Sequence, residues 1–402
     1  VAKATLNVRS LIRGAIVAMA LMLGILATTP KAGAQFMGMN GQMDIPLTSH
    51  DIDRMAKLLA LNDEQKEQVK DLYQSFEQEF NEGKKKISEQ MQEIMQEYQE
   101  NRDPTVFQDL TRKMVDFQQN TEKQQKAMYD DMRLLLDEKQ AAEWPKFERR
   151  VKRHQVFRQV SQANIVSGAG IDLVTVVEDQ KLEGEQAEAI ASELDQYENE
   201  MDRIVTSQKK LQEEQTKEYM DNMEQYSDFM GNMDKFEKMF SDSRELMVQV
   251  RDLNAKYSRQ IAALLAEDVR PKFEQAYNEG ALPQVYRPSY VSKAFTTTNG
   301  MEDLTPEQKT QVEELQATYA RELSAANDKW ASAIREWEVG MKMTDFWQAG
   351  SRPQDLKDAQ AARKELDTRT YEKLRGLLTD EQKEKLPTKA SSRSEQGGFG
   401  ND

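Results

Sequence analysis

Met220/Met223 and Met230/Met233 are methionine pairs set three residues apart within one short stretch. On a helix, residues i and i+3 share a face, so each pair would present two thioethers together. Thioether sulfur is soft and suits Cu(I), and Met37/Met39 and Met341/Met343 repeat the theme at closer spacing. A copper site would favour a nearby histidine, but the chain has only His50 and His154, far apart in sequence. The stretch is also aromatic: Tyr226, Phe229, Phe236 and Phe240 accompany Met239. Methionine is flexible and polarizable, which suits surfaces that adapt to many apolar partners. Three roles therefore compete for residues 219–240. Packing between helices accounts for most of these side chains, client capture for the surplus, and metal for least.

Acid–base chemistry has weaker support. Glu77/Glu79, Glu193/Glu198 and Glu213/Glu214 are close carboxylates, but charged helices carry such pairs on solvated faces. The chain has no cysteine, which excludes disulfides, thiol catalysis and Cys-ligated zinc. No nucleophile elbow, phosphate loop or HExxH motif occurs. These observations point away from an enzyme and toward a protein with no cofactor and no metal centre.

A second set of residues is spaced to organise backbone. Leu304-Thr305-Pro306-Glu307-Gln308 and Leu378-Thr379-Asp380-Glu381-Gln382 are helix-start signals. In each, the threonine can cap the first N–H groups and the glutamine at N3 can reach back. Asn62 with Gln65, and Asp137 with Gln140, repeat the arrangement, and Gln186 stands in a worn copy behind Glu183-Gly184. Opening copies begin at Leu61, Leu182 and Leu304, intervals of 121 and 122 residues. A capping signal at constant spacing implies repeated helical units.

The elements between the caps carry helical periodicity. Val69, Leu72, Tyr73, Phe76, Phe80, Ile87, Met91 and Ile94 follow threes, fours and sevens. Asn101-Arg102-Asp103-Pro104 breaks that run, and Phe107, Leu110, Met114, Phe117, Met128, Met132 and Leu135 mark a return arm. A short break between long arms predicts an antiparallel hairpin. Ile190 to Val205 and Met247 to Leu264 mark the arms of a second hairpin, with its reversal near 229–232 or 241–243. Val312 to Trp337 and Leu356 to Leu377 mark a third, turning at 348–353. Trp144-Pro145-Lys146-Phe147-Glu148 and Arg270-Pro271-Lys272-Phe273-Glu274 share Pro-Lys-Phe-Glu, a second sign of duplication that predicts a short helix or turn after each hairpin.

The expected fold class is all-α: three tandem long antiparallel helical hairpins with short entry and closing helices. Charged residues make up 31% and mean hydropathy is −0.81, which fits long helices with one buried stripe better than one large globule. The organisation reads as a signal peptide over 1–34, a flexible leader over 35–49 and a first repeat over 50–155. A linker and entry segment over 156–181 follows, then a second repeat over 182–279. A linker over 280–303, a third repeat over 304–387 and a disordered tail over 388–402 complete it. Lys3, Arg9 and Arg13 precede an apolar run, Gly14 to Ala27, too short for a membrane span, and Ala32-Gly33-Ala34 has a cleavage pattern. Export to the periplasm or beyond is therefore expected, with no stable membrane insertion after cleavage near Ala34. Cleavage removes Lys3, Arg9, Arg13 and Lys31 and no acid, leaving the chain more acidic than the −15 of the whole. That opposes nucleic-acid binding.

An opening LTxxQ, a long helical hairpin and a closing LTxxQ roughly 75 residues later resemble the Spy-like periplasmic chaperone family, also called the LTxxQ-motif family. The third repeat matches best through Thr305, Gln308, Thr379 and Gln382. The first matches through Asn62, Gln65, Asp137 and Gln140, and the second keeps Gln186 without a closing glutamine. The resemblance covers about residues 50–388. It implies an all-helical protein that holds non-native or exposed-apolar envelope proteins without ATP, or answers periplasmic stress and metals. Family members often pair into a dimeric cradle; three hairpins on one chain is a departure that leaves a homodimer open. A metal-responsive accessory protein and a helical spacer without ligand are the alternative functions.

Overall fold

The computed structural model describes residues 45–101, 106–163, 165–221, 233–347 and 352–387. Every regular element among them is helical, with no strand. In chain order these are α1 Ser49–Leu58, α2 Asp63–Asn101, α3 Val106–Leu134, α4 Glu138–Ala163, α5 Leu173–Glu178, α6 Glu185–Asp221 and α7 Met233–Leu264. They continue as α8 Arg270–Ala281, α9 Pro283–Tyr286, α10 Tyr290–Asn299, α11 Pro306–Gly340, α12 Met343–Trp347, α13 Gln354–Gly376 and α14 Asp380–Glu384. The segments expected as signal peptide (1–34), as most of the leader (35–44) and as tail (388–402) lie outside the described residues. The last residues of the expected flexible leader are ordered instead: Leu47 is fully buried, Thr48 caps α1 and Ser49 begins it. No described helix is long and apolar enough to cross a membrane.

Contacts divide the chain into two units. The first holds residues up to 164 together with 195–246, and the second holds 165–194 together with 247 onward. The expected second repeat therefore contributes to both.

In the first unit, α2 runs 39 residues, about 58 Å at about 1.5 Å per residue. Its stripe of Val69, Tyr73, Phe76, Phe80, Ile87, Met91 and Ile94 is buried, as the periodicity requires. Helix α3 lies antiparallel on it: Gln124 Nε2 donates to Glu79 at 2.6 Å, and the Phe80 and Phe117 rings are 5.5 Å apart. Gly83 makes that approach possible, because a Cβ there would fall 2.5 Å from the Phe117 ring. Helix α1 starts at a reciprocal Thr48/Asp51 capping box and ends in a left-handed turn at Ala60 (φ 49°), where Leu61 N–H reaches Ala56 O at 2.9 Å. Leu47, Met55 and Leu59 share one core with Trp144 and Phe147 of α4 and with Val69, Tyr73 and Met132.

Helix α4 corrects the expected short closing helix: it runs 26 residues straight through Pro145. Pro145 has no N–H to give the preceding turn, but it and Ala141 are exposed, so water can serve the freed carbonyl. The basic run of α4 is matched by acids on α6. Lys152 pairs with Asp202, and Arg153, only 2% exposed, pairs with Glu198 at 3.4 Å. Glu198 thus belongs to an interhelical ion pair rather than to a purely solvated face. Further along, Gln215 Nε2 donates to Met239 O at 3.4 Å and Lys235 meets Glu218 at 3.4 Å, an antiparallel register for α6 and α7. Helix α7 is continuous through 241–243, which removes that choice for the reversal; the alternative, 229–232, lies outside the described residues.

In the second unit, α11 and α13 pair antiparallel. Tyr319 donates to Asp367 at 2.6 Å, Arg363 Nε donates to Asn327 at 2.8 Å, and Arg369 meets Glu322 at 2.8 Å. The core joins Val312, Tyr319, Leu366 and Leu374 to Val291, Ala294 and Phe295 of α10. Residues 280–303 are thus built into the core. The segment from 165 is likewise buried at Ile165, Val166, Ala169, Leu173 and Val174. Asn254 Nδ2 donates to Gly168 O (2.9 Å) and Ile171 O (3.0 Å), and Gly168 (φ +73°) makes the tight turn between them. Helices α10, α5 and α1 each precede an opening motif; α1 and α5 fall where entry segments were expected, and α10 gives residues 280–303, expected as a linker alone, an entry helix as well.

Candidate functional site

The glutamines of the capping motifs do more than cap. At the first pair, Asn62 and Gln65 exchange backbone-to-side-chain bonds of 2.9 and 3.0 Å, and Asp137 and Gln140 do the same at 2.8 and 3.0 Å. The amides then reach across. Gln65 Nε2 donates to Gln140 Oε1 (2.8 Å) and to Leu135 O (2.7 Å). Gln140 Nε2 donates to Gln65 Oε1 (3.0 Å) and to Ala60 O (3.4 Å). Each amide thus meets its partner glutamine and the carbonyl two residues before the partner's cap.

The third pair repeats this. Thr305/Gln308 and Thr379/Gln382 are reciprocal boxes. Gln308 Nε2 donates to Gln382 Oε1 (3.0 Å) and Leu377 O (2.8 Å), and Gln382 Nε2 donates to Asp303 O (3.0 Å). Gln382 is only 2% exposed, so its amide depends on these partners. Where the closing glutamine is missing, Gln186 changes role: its Oε1 accepts from Ala266 N–H at 2.9 Å. Arg270 then serves the carbonyls of Ala262 (2.8 Å) and Leu265 (3.1 Å). A capping reading missed these clasps. The available signal was that the five copies that keep the motif all carry Gln, whereas a box at N3 accepts Glu equally well.

The Met/aromatic stretch is only partly in view. Met223, Tyr226, Phe229 and Met230 lie outside the described residues, and Met220, Met233 and Phe236 are described by backbone alone, on α6 and α7. Met239 is half-buried, and Phe240 is 2% exposed, so its ring belongs to the interior of the first unit rather than to a contact surface. Among the described residues the large exposed apolar side chains are Leu134, Leu264 and Val339, none of them methionine or aromatic. Met341 and Met343 are buried.

The remaining polar clusters are largely buried. In the second unit Glu338 accepts from Ser167 N–H (2.8 Å), Ser167 Oγ–H (2.9 Å) and Arg251 Nη1 (3.0 Å). Burial raises its pKa, and those donors pull it back. Tyr319 is pushed up to about 12, chiefly by burial and then by the charge of Asp367. In the first unit, burial would raise Asp51, but hydrogen bonds from His154 and Thr48 outweigh it and hold the carboxyl well below its usual range. Among the described residues no three His, Asp or Glu side chains gather as a metal site. A surface groove of about 470 Å³ runs along one polar face of α2 past Gln74, Glu77, Gln78, Asn81, Glu82 and Lys85, and converges on no reactive group. No family model, no curated protein and no solved structure matches the chain.

Proposed function

We propose that this protein is built of three tandem helical hairpins of the Spy-like type and is an exported, ATP-independent binder of non-native envelope proteins. The hairpin reading is supported by antiparallel contacts in α2/α3 and α11/α13 and by those of α6 with α7 within each unit. The single observation that carries the function is the density of methionine and aromatic side chains in residues 219–240, at the far end of two long charged helices. The acidic surround keeps such a surface soluble and draws basic client segments. No enzymatic step is part of this reading. A photo-crosslinking residue at Tyr226 should capture a chemically denatured client, and one at exposed Gln78 on α2 should not. Equal capture at both positions, or at neither, counts against the stretch as the contact region.

A second reading has its own support. The large exposed apolar side chains among the described residues, Leu134, Leu264 and Val339, lie far apart in sequence, as a helical spacer without ligand requires. The two readings part at residues 219–240: a spacer has no use for methionines there beyond packing.

A further inference from the structure

We propose that His154 and Asp51 form a pH-sensitive latch that holds residues 45–58 against α4. His154 Nδ1 lies 2.9 Å from Asp51 Oδ1, with both side chains largely buried at 15% and 8% exposure. Asp51 is an ionised acceptor, so Nδ1 carries the proton. Its other oxygen accepts from Thr48 N–H (2.9 Å) and Thr48 Oγ–H (2.7 Å), which fixes the carboxylate at the start of α1. The next turn of α4 grips the same segment: Gln155 Nε2 (3.1 Å) and Arg158 Nη2 (3.0 Å) both donate to Pro46 O. Between these grips Leu47 is fully buried. The His154–Asp51 pair and the clamp on Pro46 O thus both tie the segment to α4.

The surrounding groups leave His154 as the part that changes. On α4, Lys152 pairs with Asp202, Arg153 pairs with Glu198 and Arg158 donates to Pro46 O. Tyr73 of α2, whose hydroxyl donates to Glu77 at 3.3 Å, and Tyr129 of α3 both feel the charge of Asp51. Both phenols are raised by burial, with Asp51's charge among the further causes, so they stay neutral. An imidazole is the side chain that ordinarily gains or loses charge between about pH 5 and 8. Below that window the buried carboxylate faces an imidazolium. Above it the carboxylate keeps its Thr48 donors but loses the countercharge, and the latch weakens. Opening exposes the core that Leu47, Met55 and Leu59 share with Trp144 and Phe147.

Amide exchange of peptides spanning 45–60 in the full chain, corrected for intrinsic rates, tests this between about pH 5.5 and 8.5. Protection should fall roughly tenfold or more with rising pH, the scale of losing charge assistance from one buried hydrogen bond. In H154Q, whose amide can still donate to Asp51, the profile should be flat. A flat wild-type profile, or the same slope in H154Q, overturns the latch. Should H154Q fail to fold, the wild-type imidazole resonances decide, with H50Q assigning His154. The protection midpoint must then coincide with the His154 titration, and a midpoint that differs from it overturns the latch.

Discussion

Replacing Gln308 by Glu separates a cap from a clasp. A capping box at N3 accepts glutamate as readily as glutamine, because its duty is to receive the N-cap N–H. Gln308 also uses Nε2, donating to Leu377 O at 2.8 Å and to Gln382 Oε1 at 3.0 Å. A carboxylate cannot donate, and it would set an anionic oxygen against two acceptors. Gln308→Ala removes three hydrogen bonds at about 0.5–1.5 kcal/mol each, so it should cost about 2–4 kcal/mol. Gln308→Glu should cost at least as much, whereas Thr305→Ala, which removes a cap oxygen alone, should cost about 1 kcal/mol. The internal control is Gln186, which acts as an acceptor for Ala266 N–H. There Gln186→Glu keeps the acceptor and adds negative charge in the first turn of α6, so it should be neutral or stabilising by about 0.3–1 kcal/mol. Opening free energies from amide exchange in α11 and α13, and in α6 for the control, read each region separately. If Gln308→Glu is as stable as the wild type, the interhelical amide bonds contribute nothing and the motif is only a cap.

Gly83→Ala should destabilise the first unit: helix propensity favours alanine by about 1 kcal/mol, but crowding of the Phe117 ring should cost about 1–3 kcal/mol. Gly376→Ala meets no neighbour within 4 Å and should stabilise by about 0.4–1 kcal/mol, both read by urea denaturation. Ala60 (φ 49°) and Lys181 (φ 52°) are non-glycine residues in left-handed turns, so Ala60→Gly and Lys181→Gly should each raise stability by up to about 1 kcal/mol; a loss at either site would mean its strain is negligible. Asp51 titrates below its unfolded value, so its contribution is complete above about pH 4 and lost as pH falls through the lower folded value. Asp51→Asn should therefore lower stability at neutral pH and flatten the acid limb of a stability–pH curve; an unchanged acid limb would contradict the pairing.

Much of the helical architecture could be read from local signals. The stripe from Val69 to Ile94 and the boxes at Asn62, Asp137, Thr305 and Thr379 stand where spacing put them, because capping and amphipathicity act within a few residues. What escaped was long-range. The bond from Gln65 to Gln140 spans 75 residues and that from His154 to Asp51 spans 103, and neither partner's neighbourhood names the other. Glycine-rich Ser167-Gly168-Ala169-Gly170 looked like a linker, although Ile165, Val166 and Leu173 around it were apolar enough to signal burial. Pro145 was expected in a short helix or turn, but exposed Ala141 lets α4 run 26 residues through it. Of the Met/aromatic stretch, Phe240 shows how readily a ring at helical spacing belongs to packing.

The most direct test of the binding account is suppression of client aggregation by the purified mature chain without ATP. It is measured by light scattering for the wild type and for a variant with Met220, Met223, Met230 and Met233 replaced by Gln, each checked for helix content by circular dichroism. The account predicts that the wild type suppresses scattering at near-stoichiometric amounts and that the folded variant loses most of that protection. A wild type that gives no protection, or a folded variant that protects as well as the wild type, would contradict it.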